Sequence, residues 1–319
     1  MSFSSSVGLL AVAGILAMGL SPNPNPTSMP ADVGSSASQE ANMADIRSQA
    51  KSITIATATM TVDPDPVNNR LRVRQVIEET LEAHPRVRLF HFGETILGLF
   101  HKPGETQAYH ESIAEPVPGP STDYISDVAR EHDVYISFGL TEEAGGNLYN
   151  TLVLISPEGE ILATHRKFWI VNKFFSPGEL ALTTVDVDGF NVAILVCADA
   201  RSRTLIRMIR RDRPDVVLVG LADLGTDVLA SQFIGSFFDA WAFAANRYGE
   251  EGKMTWRGLT TITDPWARVA QASVGRECVL IQDVPFHQSS AVERFIRRAL
   301  VSIKAAGLLV SMMVRKALG

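Results

Sequence analysis

Short apolar runs rich in β-branched residues alternate along this chain with segments of helical period, and that alternation restricts it to a layered α/β fold. Ile53 to Val62 reads as a strand. Asn69 to His84 carries apolar residues at Leu71, Val73, Val76, Ile77 and Leu81, a helical period. Val87 to Phe92 is a second strand, Asp123 to His132 a helix, and Val134 to Leu140 a strand. Asn150 to Ser156 and Ile161 to His165 form a hairpin across Pro157-Glu158-Gly159-Glu160. A tight turn at Asp186 to Phe190 leads into the strand Asn191 to Val196. Then come a helix from Ser202 to Arg211, a strand from Val216 to Val219 and an aromatic-rich helix from Phe233 to Asn246. The hairpin Gly258 to Thr263 and Val269 to Ala272 turns at Asp264-Pro265, and Cys278 to Val284 closes the sheet.

The two ends have a different character. Val7 to Leu20 is an uncharged apolar run, shorter than the ~20 residues a spanning helix needs and similar in length to a signal-peptide core. Ser21 to Ser38 is rich in Pro, Ser, Asn and Gly, which is linker composition. The expected division is therefore a leader and linker over 1–45, an α/β domain over 46–290 and a tail over 291–319. In the tail Glu293 stands against Arg294, Arg297, Arg298, Lys304, Arg315 and Lys316, interleaved with apolar residues. A basic amphipathic helix at a membrane surface fits that composition, and packing on a sister subunit is the alternative. Export or membrane association is expected, with a cytoplasmic location as the other reading.

The net charge of −6 gives no reason to expect a nucleic-acid partner. Two cysteines exclude a disulfide scaffold, and no Cys/His spacing suits zinc, so neither metal nor cofactor is expected. Cys278 lies in an apolar strand and reads as a small buried hydrophobe. His91, His101, His110 and His165 read as packing or surface groups.

Glu94 follows the run Leu89 to Gly93, Cys197 follows Val192 to Val196, and Lys167 follows Thr164-His165-Arg166. Each stands just past a strand, the place where α/β folds build their sites. Their chemistry is mutually useful. A thiol needs a base to become a nucleophile, a carboxylate can be that base, and an ammonium stabilises the oxyanion that forms. The N–H of Ala198, at the start of the next helix, is a candidate second oxyanion donor. Trp169, Asn172 and Asp199 are further candidates for oxyanion or substrate binding.

The same segments resemble the nitrilase, or carbon–nitrogen hydrolase, superfamily over roughly residues 51–285. Phe92-Gly93-Glu94-Thr95-Ile96-Leu97-Gly98 looks like the segment around that family's catalytic Glu, with Gly93 where Pro is commoner. Gly139-Leu140-Thr141-Glu142, Leu148-Tyr149-Asn150-Thr151, Pro157 to Glu160 and His165-Arg166-Lys167 are similar, in order, to the approach to its Lys. Val192 to Arg201 resembles its nucleophile segment. The resemblance implies a four-layer α-β-β-α sandwich that usually forms homodimers, with Glu94 as base, Lys167 as oxyanion stabiliser and Cys197 as nucleophile.

The departures bear on the substrate. Trp169 stands where the family usually has His, and the loop Ile170-Val171-Asn172-Lys173 lacks a second Glu. Ser202, Arg203 and Thr204 replace a common aromatic, Pro and Glu. Ala198 stands where nitrile-cleaving members often have Trp, which favours amides over nitriles. The expectation is an amidase acting on a small amide or acyl substrate. Its alternatives are a membrane-associated acyltransferase similar to apolipoprotein N-acyltransferase, and a weakly active or inactive binding protein.

Overall fold

The computed structural model describes residues 52–224, 238–286 and 289–318. The leader and linker expected over 1–45 lie outside the described residues.

Two sheets face each other. The first runs β11 (Met254–Arg257), β10 (Arg247–Glu251), β1 (Ser52–Thr61), β2 (Val87–His91), β3 (Tyr135–Ala144), β4 (Asn147–Ile155) and β5 (Ile161–Arg166), with β14 (Cys278–Pro285) also paired to β1; the second runs β13 (Val269–Ser273), β12 (Thr260–Thr263), β9 (Trp241–Ala245), β8 (Val216–Gly220), β7 (Phe190–Val196) and β6 (Thr183–Val187). In the first, β1 (Ser52–Thr61), β2 (Val87–His91) and β3 (Tyr135–Ala144) are parallel, and β4 (Asn147–Ile155) and β5 (Ile161–Arg166) continue antiparallel. In the second, β7 (Phe190–Val196), β8 (Val216–Gly220) and β9 (Trp241–Ala245) are parallel. They are flanked by β6 (Thr183–Val187) and by the hairpin β12 (Thr260–Thr263) and β13 (Val269–Ser273). The predicted closing strand is β14 (Cys278–Pro285), antiparallel to β1 from Ser52↔Pro285 to Thr59↔Cys278.

Three apolar cores make this a four-layer stack. Helices α1 (Pro66–Ala83) and α3 (Pro120–His132) bury Val73, Ile77, Ile125 and Val128 against Phe90, Phe138 and Val153 of the first sheet. Between the sheets, Leu89, Leu152 and Leu154 meet Val192, Ile194, Val196 and Phe243. On the far side α4 (Arg203–Asp212) presents Leu205, Ile206 and Ile209, its i, i+1, i+4 face, to Leu195, Val217 and Val219. The strands between such layers are covered on both faces, which is why β7 and β8 are continuous apolar runs.

Local sequence sets the helix ends. Asp65 accepts the Val67 N–H at 2.9 Å and Pro66 opens α1, so that helix starts earlier than its apolar period suggests. Ser202 accepts the Leu205 N–H and caps α4. The short helix α2 (Thr106–Ile113), the strand β6 and the polar edge hairpin β10 (Arg247–Glu251) and β11 (Met254–Arg257) are elements the periodicity did not mark.

One predicted element is overturned. The helix expected over Phe233 to Asn246 is, in its described part, a turn followed by β9, parallel to β8 and antiparallel to β12. Its alanine-rich run suits a helix by propensity. Here, however, Phe243 packs between the sheets while Ala240 and Ala242 pack toward α4. Burial on both faces overrides the local preference. Cys278, expected to be buried, is half-buried, with its thiol 3.6 Å from Thr59 Oγ1. The basic tail is helix α5 (Ala291–Leu318).

Candidate active site

The carboxyl ends of β2, β5, β7 and β8 converge, and the chain after each contributes a group. Past β2 the backbone is stitched to β3, with the Gly139 N–H donating to Gly93 O at 3.2 Å and Leu97 N–H to Gly139 O at 3.3 Å. Glu94 N–H donates to Leu221 O after β8, which ties the two sheets together at this point. The approach is close enough to demand glycine at 139: a Cβ there would lie 2.4 Å from Thr95 N and 2.7 Å from Gly93 O. Thr95 itself is held at φ 41°, an unfavourable conformation for a β-branched residue. Beneath this loop the fully buried Arg247 donates to Thr95 O at 3.0 Å and Gly98 O at 2.7 Å and pairs with Glu251 at 2.9 Å. Glu251 in turn accepts the Phe100 and His101 N–H groups.

The Glu94 carboxylate is fully buried and has three donors. Lys167 Nζ and Asn150 Nδ2 each donate to Oε1 at 2.6 Å, and Ala222 N–H donates to Oε2 at 2.9 Å. Charge-assisted bonds of this kind offset the desolvation of a buried ion. Asn150 is itself buried, and its Oδ1 has no hydrogen-bond partner among the described residues.

Lys167 leaves β5 with its N–H bonded to Asn150 O at 2.8 Å and its carbonyl accepting Gly178 N–H at 2.9 Å. Burial works against its charge. The Glu94 carboxylate, followed by Cys197 and Asp199, outweighs that and holds the ammonium above its ordinary range.

Cys197 opens a 3-10 turn (Cys197–Arg201) directly after β7, at φ 45°. A non-glycine residue in this region stores backbone strain of ~1–3 kcal/mol, and such strain concentrates at functional sites. Burial and the nearby Glu94 push the thiol up to about 12, with Lys167 pulling the other way. Asp223, beyond Ala222, also raises it, and Arg201, whose guanidinium is 3.8 Å from Asp223, lowers it. The Cys197 sulfur is therefore held as a thiol, with the carboxylates of Glu94 and Asp223 and the cations of Lys167 and Arg201 as its charged neighbours.

The structure thus brings Glu94, Lys167 and Cys197 into one electrostatic unit, and it redistributes the other predicted residues. Asp199 is fully buried and accepts His165 Nε2 at 3.0 Å, Trp169 N–H at 2.7 Å and Phe168 N–H at 3.2 Å. Those bonds occupy its carboxylate, so it fastens the backbone after Lys167 to the turn after Cys197 and offers no open face to a substrate. Asn172 is half-buried, and its carbonyl closes a turn by accepting Phe175 N–H. Trp169 is exposed beside the site. Ala198 follows Cys197 in the 3-10 turn, while the α-helix begins only at Arg203. Asn150, the Ala222 N–H and Asp223 join the site without having been singled out as site residues. Asn150 was visible within Tyr149-Asn150-Thr151; the other two have no local signal. Among the described residues one trio, Glu78, Glu131 and His132, has metal-binding proximity. It lies on α1 and α3, where Arg74 already bridges both carboxylates at 2.7 Å.

Residues 53–294 match the family model for carbon-nitrogen hydrolase. The chain belongs to this family. Among curated relatives, omega-amidase NIT2 of Mus musculus is 27% identical over 217 residues, 62% of this chain and 78% of that protein. A formamidase of Bacillus cereus is 28% identical over 176 residues, 53% of this chain and 52% of that protein. Among solved structures, a mutant of the amidase from Nesterenkonia sp. AN1 superimposes with TM-score 0.65 at 20% identity, covering 75% of this chain and 92% of that one. In it the acetamide moiety of fluoroacetamide is covalently added at the active site cysteine. Saccharomyces cerevisiae Nit3 gives TM-score 0.67 at 16% identity, covering 78% and 94%. At these identities the structural likeness carries the nitrilase-type fold. The activity class comes from family membership: a carbon–nitrogen hydrolase of amidase-like kind, acting on non-peptide C–N bonds. The likeness to apolipoprotein N-acyltransferase is not needed to account for the chain.

Proposed function

We propose that this carbon–nitrogen hydrolase is an amidase that works through a thioester on Cys197. The observation that supports it most is the arrangement around Glu94, a buried carboxylate held by Lys167, Asn150 and the Ala222 N–H and close enough to Cys197 to shift its titration. Glu94 takes the thiol proton as Sγ bonds to the amide carbon. The developing oxyanion is stabilised by Lys167 Nζ, an ammonium kept charged by its surroundings. The C–N bond breaks, and the departing ammonia takes the proton from Glu94. Water then loses a proton to Glu94 and attacks the thioester. The C–S bond breaks, the sulfur is reprotonated, and a carboxylic acid leaves. The vacant acceptor on Asn150 suits an N–H of the substrate amide.

The test pairs ammonia release from a panel of short aliphatic amides with intact-mass analysis after fluoroacetamide. Turnover together with a mass adduct that Cys197→Ala removes supports the reading. No ammonia and no adduct would point to the inactive alternative. The acyltransferase alternative shares the first half of this chemistry, and an amine outcompeting water for the thioester would favour it.

A further inference from the structure

Helix α5 carries a long apolar face that packs on nothing in the described structure. Its first turns are anchored from one side: Arg297 and Arg298 both bond Asp239, Arg297 lies over the Trp266 ring, and Val301 is buried. Those contacts fix the rotation of the helix and turn the opposite side outward. That side presents Val292, Phe295, Ile296, Leu300 and Ile303, with Phe295 75% and Ile303 71% exposed. Val310 and Val314 extend the stripe at the same helical spacing and are exposed too. From Val292 to Val314 it runs about 33 Å at the helical rise. A patch of this extent, without a charge along its line, marks an interaction surface.

We infer that the stripe of α5 is a membrane-surface contact and that its partner is an anionic phospholipid leaflet. Two observations select this occupant. First, no described helix is long and apolar enough to cross a membrane, so α5 would lie in the interface plane. Second, with Arg297 and Arg298 engaged by Asp239, the helix still carries Arg294, Lys304, Arg315 and Lys316 against Glu293. A second copy of the same helix would bring like charge to like charge, since these four cations outnumber Glu293 in each copy. An anionic leaflet supplies the opposite charge, and each basic residue near it adds to binding. The inference does not depend on the chemistry proposed for Cys197.

The full-length protein should be mixed with phosphatidylcholine vesicles containing about one third phosphatidylglycerol, and with phosphatidylcholine alone. Binding is expected to favour the anionic vesicles and to weaken with salt. The double substitution Phe295→Glu/Ile303→Glu should lower partitioning at least ~10-fold, with an unchanged thermal midpoint because both positions are exposed. Amide exchange over 291–314 in the wild-type chain should slow when anionic vesicles are added, which separates α5 from the apolar run 7–20. Equal partitioning of variant and wild type, or unchanged exchange over 291–314, would overturn the inference. So would a variant that turns a dimer into a monomer while binding vesicles as before.

Discussion

Lys167 Nζ lies 2.6 Å from Glu94 Oε1, and both side chains are almost wholly buried. A buried ion pair is stable only while both partners remain, because removing one leaves the other uncompensated in a low-dielectric site. Lys167→Met is therefore expected to cost ~3–5 kcal/mol of stability, and Glu94→Gln less, since a neutral amide beside the ammonium keeps one hydrogen bond. Both should lower amide turnover by ~10²–10⁴. Urea unfolding alongside kinetics checks the pair. Equal stability losses for the two variants would contradict the asymmetry.

The thiol of Cys197 should titrate far above an ordinary cysteine. A small neutral disulfide-forming reagent, used on a Cys278→Ser background, should react slowly at neutral pH and accelerate as pH approaches 12. Glu94→Gln should move that profile down strongly and Asp223→Asn more weakly, while Lys167→Met moves it up, following the order of their influence. The same shift predicts alkaline lability. Between about 9 and 12 the folded state keeps the thiol proton and the unfolded state has lost it, so stability falls as pH rises through that window. Lys167, held above its usual range, adds to the loss in the same direction at higher pH.

Asp199 should act as a positioning residue. Its carboxylate accepts Trp169 N–H, Phe168 N–H and His165 Nε2, so it sets the path of the chain just after Lys167. Asparagine would present an NH2 group to one of those donors and lose its bonds. Asp199→Asn is expected to reduce kcat ~10–100-fold with little change in KM, as misplacement of a catalytic group does. A role limited to stability would leave the pH profile of Cys197 alkylation in place. Displacement of Lys167 would move it upward, and that profile is the deciding measurement.

The legible parts of this fold are those whose physics is local. β2 and β7 could be read because strands covered on both faces are uninterrupted apolar runs, and the residue that ends each run, Glu94 or Cys197, stands out by its charge or reactivity. The 157–160 turn and the Asp188-Gly189 turn carry their own chemistry. Lys167 follows an ordinary polar strand end, and only the ordered resemblance distinguished it from a surface lysine. The supports of the site were not readable. Arg247 reaches Thr95 and Gly98 from about 150 residues away, and the Ala222 N–H finds Glu94 across 128 positions. No window of sequence contains both partners of such a contact. Asp199 stands out in sequence by its position beside Cys197, yet its contacts depend on what the end of β5 brings to it. The 241–245 strand escapes local propensity because alanines that suit a helix also suit a crowded strand between two layers.

Acid sensitivity should trace to two buried imidazoles. Burial lowers both His91 and His110 to about 4, from an ordinary value near 6.5. His91 is fully buried, with Nδ1 3.2 Å from Ser137 Oγ, and His110 lies beside Thr141, Phe174 and Phe175. A depressed value means the unfolded chain binds the proton first. Stability is then intact above about 6.5 and is lost as pH falls toward 4, by roughly 2–3 kcal/mol for each fully neutral histidine. His91→Asn retains a polar partner for Ser137 and removes the titration. The gap between urea midpoints at pH 7 and pH 4.5 should therefore narrow in His91→Asn and narrow further when His110→Asn is added. A gap as wide in the double variant as in the wild type would show that these imidazoles are not what acid attacks.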